Sequence, residues 1–323
     1  MAVDFHTLIG RNKRNSWVLI ICFTAFVAVL GAVIGYSTGI YWGGPKAGPA
    51  YGFGMTAIAL VIAVVGSLAS YYGGASAILS MSGAVPISKA DDPQLFNVVE
   101  EMAIAAGIPV PKVYLIPDTA PNAFATGRDP AHGVVAITAG LRAKLNRDEL
   151  QGVIAHEMSH IRHFDIRFAV LMATLVGVVV LLCDMYLRSM WWGGGTRSRR
   201  SGRSGDREGG GAAIILMLIA LLLAIIAPIL ARIIEMAFSR QREYLADAGA
   251  VELTRNPDGL AGALAKISAD PEVLEVANRA TAPMYIVHPI KSFEDRASSI
   301  FDSHPPIKDR IKRILSLKTG ESA

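Results

Sequence analysis

Thiols are nearly missing from this chain: of 323 residues only Cys22 and Cys183 carry one. Both stand inside apolar stretches and far from any histidine, which excludes a disulfide framework and a thiolate metal site and leaves them as packing residues. Charge is scarce as well. Asp, Glu, Lys and Arg make up 18% of the residues against 52% hydrophobic ones, and the mean hydropathy is +0.40. That balance excludes an ordinary water-soluble composition and suits an integral membrane protein with a soluble portion. The formal net charge is only +4, and the basic residues fall mostly beside apolar stretches. Such a distribution marks membrane flanks and argues against nucleic acid as a partner.

Long uncharged runs are what the chain has in place of charge. Residues 16–42 contain no charged side chain, exceed the ~20 residues a membrane helix needs, and follow Arg11, Lys13 and Arg14. The run is too long for a signal peptide and has no persuasive small-residue cleavage site, so it reads as a retained span with its amino-terminal flank in the cytoplasm. After a Gly- and Pro-rich break at residues 43–49 a second span is expected over residues 54–78. A third run, residues 168–183, lies between Arg167 and Asp184 and reaches only about 24 Å as a helix, short of the ~30 Å hydrocarbon core. A fourth, residues 209–231, is long enough and contains Pro228, where a kink is expected. Between the last two lie Arg188, Arg197, Arg199, Arg200, Arg203 and Arg207 among glycines and serines, a composition that does not fold alone.

One stretch carries the chemistry: Val153-Ile-Ala-His156-Glu157-Met-Ser-His160. Asn146 and Glu149 stand three apart as in a capping box, and Leu150, Val153, Ile154 and Met158 recur at helical spacing, which predicts a helix. On it His156 and His160 lie one turn apart on one face, so both imidazoles reach a single ion, while Glu157 is placed beside it as a base. This is the pattern of catalytic zinc, which lowers the pKa of a water it binds to about 7. The competing reading is an amphipathic helix with two incidental histidines. A catalytic zinc takes three protein ligands, and the best third candidate is Glu243 in Ser239-Arg-Gln-Arg-Glu243-Tyr-Leu-Ala-Asp247. There Glu243 and Asp247 form an i,i+4 pair, so that the aspartate can hydrogen-bond the outer nitrogen of a ligand histidine. The alternative is a solvated face on which both acids pair with Arg240 and Arg242. If His156 and Glu243 share an ion, the ends of the third and fourth runs lie on one side. The arginine-rich loop is then outside if both runs cross, against the positive-inside rule; a hairpin that enters without crossing stays open.

The remaining soluble segments mix helices and strands. Residues 94–106 read as a helix, 110–116 and 133–138 as strands, and Asn122-Ala123-Phe124-Ala125-Thr126-Gly127 as a strand or loop between them. An exposed edge of that small sheet could hold an extended peptide by main-chain pairing. His132 reads as a surface residue near a turn. Further on, residues 260–267 and 271–280 read as short helices and 307–317 as an amphipathic one. His304, fixed by the following prolines, could aim into a cleft with Arg310 nearby, although the residues alone fit a helix entrance with a surface histidine better.

Four motifs occur in an order that resembles the HtpX family, bacterial membrane zinc endopeptidases related to the CAAX prenyl protease. They are His156-Glu157-Met-Ser-His160 with Asp165, the Asn122 to Gly127 element, the Ser239 to Asp247 stretch, and Ser303-His304-Pro305-Pro306 with Arg310. The resemblance implies a cytoplasm-facing gluzincin in the bacterial inner membrane that degrades damaged or misassembled membrane proteins. It implies that His156, His160 and Glu243 bind one Zn²⁺, that Glu157 is the general base, and that Asp247 supports a ligand. It further implies that Asn122, Ala123, Phe124 and Ala125 line the peptide and that His304 and Arg310 stabilise the tetrahedral intermediate or grip substrate carbonyls. Two departures stand out: His163-Phe164 occupies the place of an expected Asn-Gly, making His163 an adventitious metal site to watch, and His288 replaces an expected asparagine.

The expectation is therefore an α-helical membrane protein with four apolar helices and an α+β gluzincin-type zinc metalloprotease domain. A cytoplasmic tail (residues 1–15) precedes two membrane helices (16–82) and a first protease part (83–167). The third and fourth apolar helices (168–236, with the Arg/Gly-rich loop 188–211) lead to a second protease part (237–323). Protein or peptide substrates and the lipid bilayer are the expected partners. A CAAX-type processing protease is the enzymic alternative, for which four apolar runs are too few to build a lipid-accommodating chamber. A non-catalytic zinc-stabilised scaffold or chaperone is the other; it has no four-ligand structural site and no need of Glu157.

Overall fold

The computed structural model describes residues 5–193, 210–274, 285–287 and 305–319. Its chain divides into two compact units, one formed by residues 1–69 and 171–235 and the other by residues 70–170 and 236–323.

In the first unit the apolar runs are helical. Helix α1 (Phe5–Gly43) and helix α2 (Gly48–Met81) are joined by a short 3₁₀ turn, Pro45–Ala47. They pack through small residues: a Cβ on Gly35 would lie 2.4 Å from the carbonyl oxygen of Tyr51, and one on Gly39 would lie 2.7 Å from the Tyr51 Cβ. Spaced four apart, Gly31, Gly35 and Gly39 let the two backbones approach as small residues do between membrane helices. The third run lies in α6 (Asp165–Gly193) and the fourth in α7 (Gly210–Thr254). Among the described residues four stretches are long and apolar enough to cross a membrane: Trp17–Gly43, Pro45–Met81, Asp165–Ser189 and Met217–Thr254. The third run is thus longer than the sequence suggested. Its helix continues past both flanking charges to give 25 suitable residues, about 37 Å at 1.5 Å per residue. Pro228 is accommodated inside α7, which runs unbroken into the Ser239 to Asp247 stretch.

The second unit is built on a four-stranded sheet of order β1-β2-β4-β3. The strands are β1 (Val85–Pro86), β2 (Lys112–Ile116), β3 (Ala123–Thr126) and β4 (Val134–Thr138). β2 and β4 are parallel, β3 and β4 antiparallel, with Ala123 opposite Ile137 and Thr126 opposite Val134. β3 is therefore an edge. Alternation along the strands feeds two cores. Val135, Ile137, Ala123 and Ala125 face α3 (Pro93–Ala106), α5 (Arg147–Arg162) and α8 (Pro257–Ala269), among Leu95, Val98, Leu150, Val153, Ile154 and Leu260. Val134, Ala136 and Phe124 face the other way, among Ile116, Leu79 and Tyr285. The short helix α4 (Ala139–Lys144) links the sheet to α5, and α9 (Ile307–Thr319) packs beside α8.

Local sequence sets these elements. Asp92 caps α3, accepting from the Leu95 N–H at 3.0 Å, with Pro93 in the first turn and Gly107 closing the helix at φ 65°. Residues 271–274 are not helical, which corrects the helix expected over 271–280; the rest of that stretch lies outside the described residues. Asp270 ends α8, and its carboxylate accepts from Lys144 and from the Glu272 N–H, ties that hold the chain in an extended exit.

Candidate metal centre

Helix α5 begins with the expected capping box: Asn146 Oδ1 accepts from the Glu149 N–H and Glu149 Oε2 from the Asn146 N–H, both at 2.9 Å. Gly152 lets α5 approach α8 closely; a Cβ there would lie 2.6 Å from the backbone nitrogen of Leu260. This packing buries the next turn completely, so that His156 is 0% exposed and Glu157 2%.

On that turn the two imidazoles converge, with His156 Nε2 and His160 Nε2 3.2 Å apart. Glu243, on α7, brings its Oε2 to 3.7 Å from His156 Nε2 and its Oε1 to 3.5 Å from His160 Nε2. Both outer imidazole nitrogens meet carboxylates: His156 Nδ1 lies 3.0 Å from Asp247 Oδ1, and His160 Nδ1 3.1 Å from Asp165 Oδ2. The three residues together could hold one metal ion. Their spacing fits one, because a tetrahedral ion at about 2.0–2.1 Å from each donor separates the donors by about 3.3 Å. The chemistry also fits: two imidazoles and a carboxylate, with the rings oriented from behind by acids, make up the donor set of a catalytic zinc site that keeps a fourth position open.

Electrostatics divide the three α5 groups. Burial pushes the His156 pKa down and favours the neutral, ligating form. Burial also opposes charge on His160, but the Asp165 and Glu243 carboxylates outweigh it and push that pKa up to about 10. For Glu157 burial dominates and, helped by the Glu243 carboxylate, raises its pKa to about 7, against the pull of His160, Arg310 and the Ala125 N–H. A carboxyl poised near neutrality is suited to taking and returning a proton.

Arg310 is brought into the cluster itself. It is 0% exposed; Nε and Nη2 donate to Asp247 at 2.9 and 2.7 Å, and Nη1 donates to the Ile286 carbonyl at 2.8 Å and lies 3.1 Å from Glu243 Oε2. It braces the carboxylates of Asp247 and Glu243. The Asn122 to Ala125 element is engaged within the chain over its first half. The Asn122 carboxamide holds the backbone of Val287, the Ala123 carbonyl accepts from the Ile286 N–H at 2.9 Å, and the Phe124 ring turns to the opposite core against Tyr285. Ala125 reaches Glu157 through its backbone N–H. The outward edge of β3 at Asn122 and Ala123 is thus filled by the chain itself.

His304 and His288 lie outside the described residues. His132 pairs on the surface with Asp129 at 2.7 Å. His163 is buried at the end of α5, 3.4 Å from Ser159 Oγ, and is not part of the metal-holding group. The departure at His163-Phe164 has a backbone meaning. Phe164 has φ 62°, so the position where glycine is expected is the one that turns left-handed, and a phenylalanine there bears about 1–2 kcal/mol of strain.

Two supporting groups were not assigned from sequence. Asp165 orients His160, and Arg242 holds Asp165 by its Nη1, 3.0 Å from Oδ1, while its guanidinium lies 3.4 Å from the centre of the Phe168 ring. The signal for Asp165 was its place just after the helix break following His160; nothing in the spacing pairs Arg242 with it.

A His-Glu-His helix completed by a glutamate from a second helix, in a chain whose described residues include four helices long and apolar enough to cross a membrane, defines a class, the membrane metalloproteases. The chain belongs to peptidase family M48, whose profile matches residues 89–318. Within it, the chain is similar to the protein called Protease HtpX homolog of Listeria innocua, 46% identical over 310 residues that cover 96% of this chain and 98% of that one. The protein of the same name from Dictyoglomus thermophilum is 43% identical over 96% of this chain and 94% of its own. The crystal structure of S. mikatae Ste24p shares the fold, with a TM-score of 0.51 at 21% identity over 80% of this chain; the chain spans 57% of that neighbour.

Proposed function

We propose that this chain is a zinc-dependent endopeptidase of the bacterial cytoplasmic membrane. Its site faces the cytoplasm and cuts internal peptide bonds of misfolded or damaged membrane proteins, as part of stress-related quality control. The observation that carries the reading is the convergence of the His156 and His160 Nε2 atoms, 3.2 Å apart, on the Glu243 carboxylate, with buried Glu157 beside them. His156, His160 and Glu243 are the residues that would hold the zinc, which when bound supplies Lewis-acid activation of the scissile carbonyl and of the attacking water.

The chain's own residues do the rest. Asp247 and Asp165 fix the two ring orientations. Glu157 takes the proton from the attacking water and passes it to the leaving amine. The Ala125 N–H steadies the ionised form of Glu157. The peptide lies along the β3 edge from Ala125 onward, a mode that reads backbone and leaves sequence largely unread. His304 is assigned to the tetrahedral intermediate by resemblance. Arg310 acts by positioning Glu243 and Asp247.

Glu243→Ala tests the assignment. Purified in detergent with its zinc quantified, the variant is expected to lose both bound zinc and cleavage of an unfolded protein. Full zinc occupancy with retained cleavage would show that another residue completes the site.

Acidity gives a second test. Metal-free His160 is protonated up to about pH 10, and a ligand imidazole must be neutral, so loading expels a proton. Zinc affinity is therefore expected to rise with pH through the neutral range, by about tenfold per pH unit for each proton released. Chelator competition at pH 6, 7 and 8 reads this, and a flat profile rules it out.

A further inference from the structure

The Asn122 side chain is tied to a segment 165 residues further on. Its Nδ2 donates to the Val287 carbonyl at 3.0 Å, and its Oδ1 accepts from the Val287 N–H at 3.4 Å and from the Ala123 N–H at 3.1 Å. The Asn122 backbone is itself held on β4: its N–H donates to Thr138 Oγ1 and its carbonyl accepts from the Thr138 N–H, both at 2.9 Å. By the alternation of an antiparallel pair, Ala123 then turns its polar groups outward. The Ala123 carbonyl takes the Ile286 N–H. Residues 285–287 form a strap along the first half of the β3 edge. Its other end is pinned by Tyr285, whose ring meets Phe124 edge-on at 5.1 Å and whose hydroxyl donates to Ser82 Oγ at 3.3 Å.

The middle carbonyl of the strap, that of Ile286, accepts from Arg310 Nη1, the same nitrogen that lies 3.1 Å from Glu243 Oε2. The two other donors of Arg310 hold Asp247, which stands behind His156. A continuous run of polar contacts therefore leads from Asn122 through Ile286 to Arg310 and on to Glu243 and Asp247. We propose that Asn122 is a positioning residue for the metal centre, acting through this strap and Arg310, and not a contact for substrate. The proposal rests on the reading that His156, His160 and Glu243 hold a metal; it does not depend on proteolysis.

The physical reason is a competition for one carboxylate. With Ile286 seated, Nη1 divides its attraction between a carbonyl and Glu243 Oε2. With the strap loosened the guanidinium keeps only acids as partners and draws the Glu243 carboxylate toward itself, away from the imidazoles. Asn122→Ala removes both contacts to Val287. Asn122→Asp keeps the acceptor for the Val287 N–H but loses the donor to its carbonyl.

The experiment measures the zinc dissociation constant of the full chain in detergent by chelator competition. The expected result is graded: about tenfold weaker binding for Asn122→Ala and an intermediate loss for Asn122→Asp. Unchanged affinity in Asn122→Ala with a raised KM for an unfolded substrate would overturn the proposal and make Asn122 a substrate contact. If the variants do not fold, the wild type decides by amide hydrogen exchange. Coupling is reciprocal, so zinc is expected to slow exchange of the Ile286 N–H, and exchange indifferent to zinc overturns the proposal. A chain whose zinc affinity depends on Asn122 but which cleaves nothing defeats the protease reading alone. A chain that binds no zinc defeats both.

Discussion

Glu157→Gln is expected to leave bound zinc unchanged and to slow peptide cleavage by about 10²–10⁴-fold, the range lost when a general base is removed. The substitution is close to isosteric, and Glu157 is outside the group of three able to hold an ion. It also removes a carboxyl that sits 2% exposed with a pKa near 7. That value belongs to the metal-free chain; a divalent ion held by the neighbouring ligands favours the ionised carboxylate and so keeps the basic form available at pH 7. Cleavage per bound zinc in the wild type should accordingly fall in acid, as Glu157 takes up its proton, and that limb should vanish from any residual activity of Glu157→Gln. Single-turnover cleavage across pH, with zinc measured on the same samples, reads both effects. Cleavage that survives at the wild-type rate assigns the proton transfer to another group.

Arg310→Met is expected to cost more in stability than any other exchange considered. The guanidinium is fully buried between Asp247, Glu243 and the Ile286 carbonyl. Removing it leaves buried carboxylates without their cation, a class of change that costs about 3–5 kcal/mol. Methionine matches the length of the side chain, so the loss reports charge and hydrogen bonds more than volume. Thermal unfolding in detergent should show a large drop that added zinc restores in part, since the ion supplies positive charge to the same carboxylates. A midpoint within a few degrees of the wild type would show that Asp247 and Glu243 do not depend on Arg310.

Those two residues also mark how far the sequence could be read. His156, Glu157 and His160 were legible because a helix makes spacing equivalent to geometry, and the Asn146 and Glu149 cap announced that helix. Glu243 and Asp247 followed because they share one face of α7. The strands at 110–116 and 133–138 showed through their β-branched residues, and β2 and β4 fall within them. Arg310 was singled out, but its partners were not, because a side chain pairing across 63 residues leaves no periodic trace. The strap escaped for a similar reason. Three residues are too few for a strand pattern, and Asn122 holds them through a side-chain amide, a pairing that spacing does not reveal. The third apolar run was read as short because Arg167 and Asp184 were taken as its ends, whereas both are carried within α6.

The sequence distance between Arg310 and Asp247 has a bearing on how the protein is made. Synthesis runs from the amino end, so His156, His160, Glu243 and Asp247 all emerge while Arg310 is still untranslated. Until α9 is made, the two α7 carboxylates lack the Arg310 guanidinium, and drawing them out of water without it or a metal ion is costly. The last brace of the centre is thus also the last part of it to be made: every proposed ligand precedes the arginine that offsets the charge of Glu243 and Asp247.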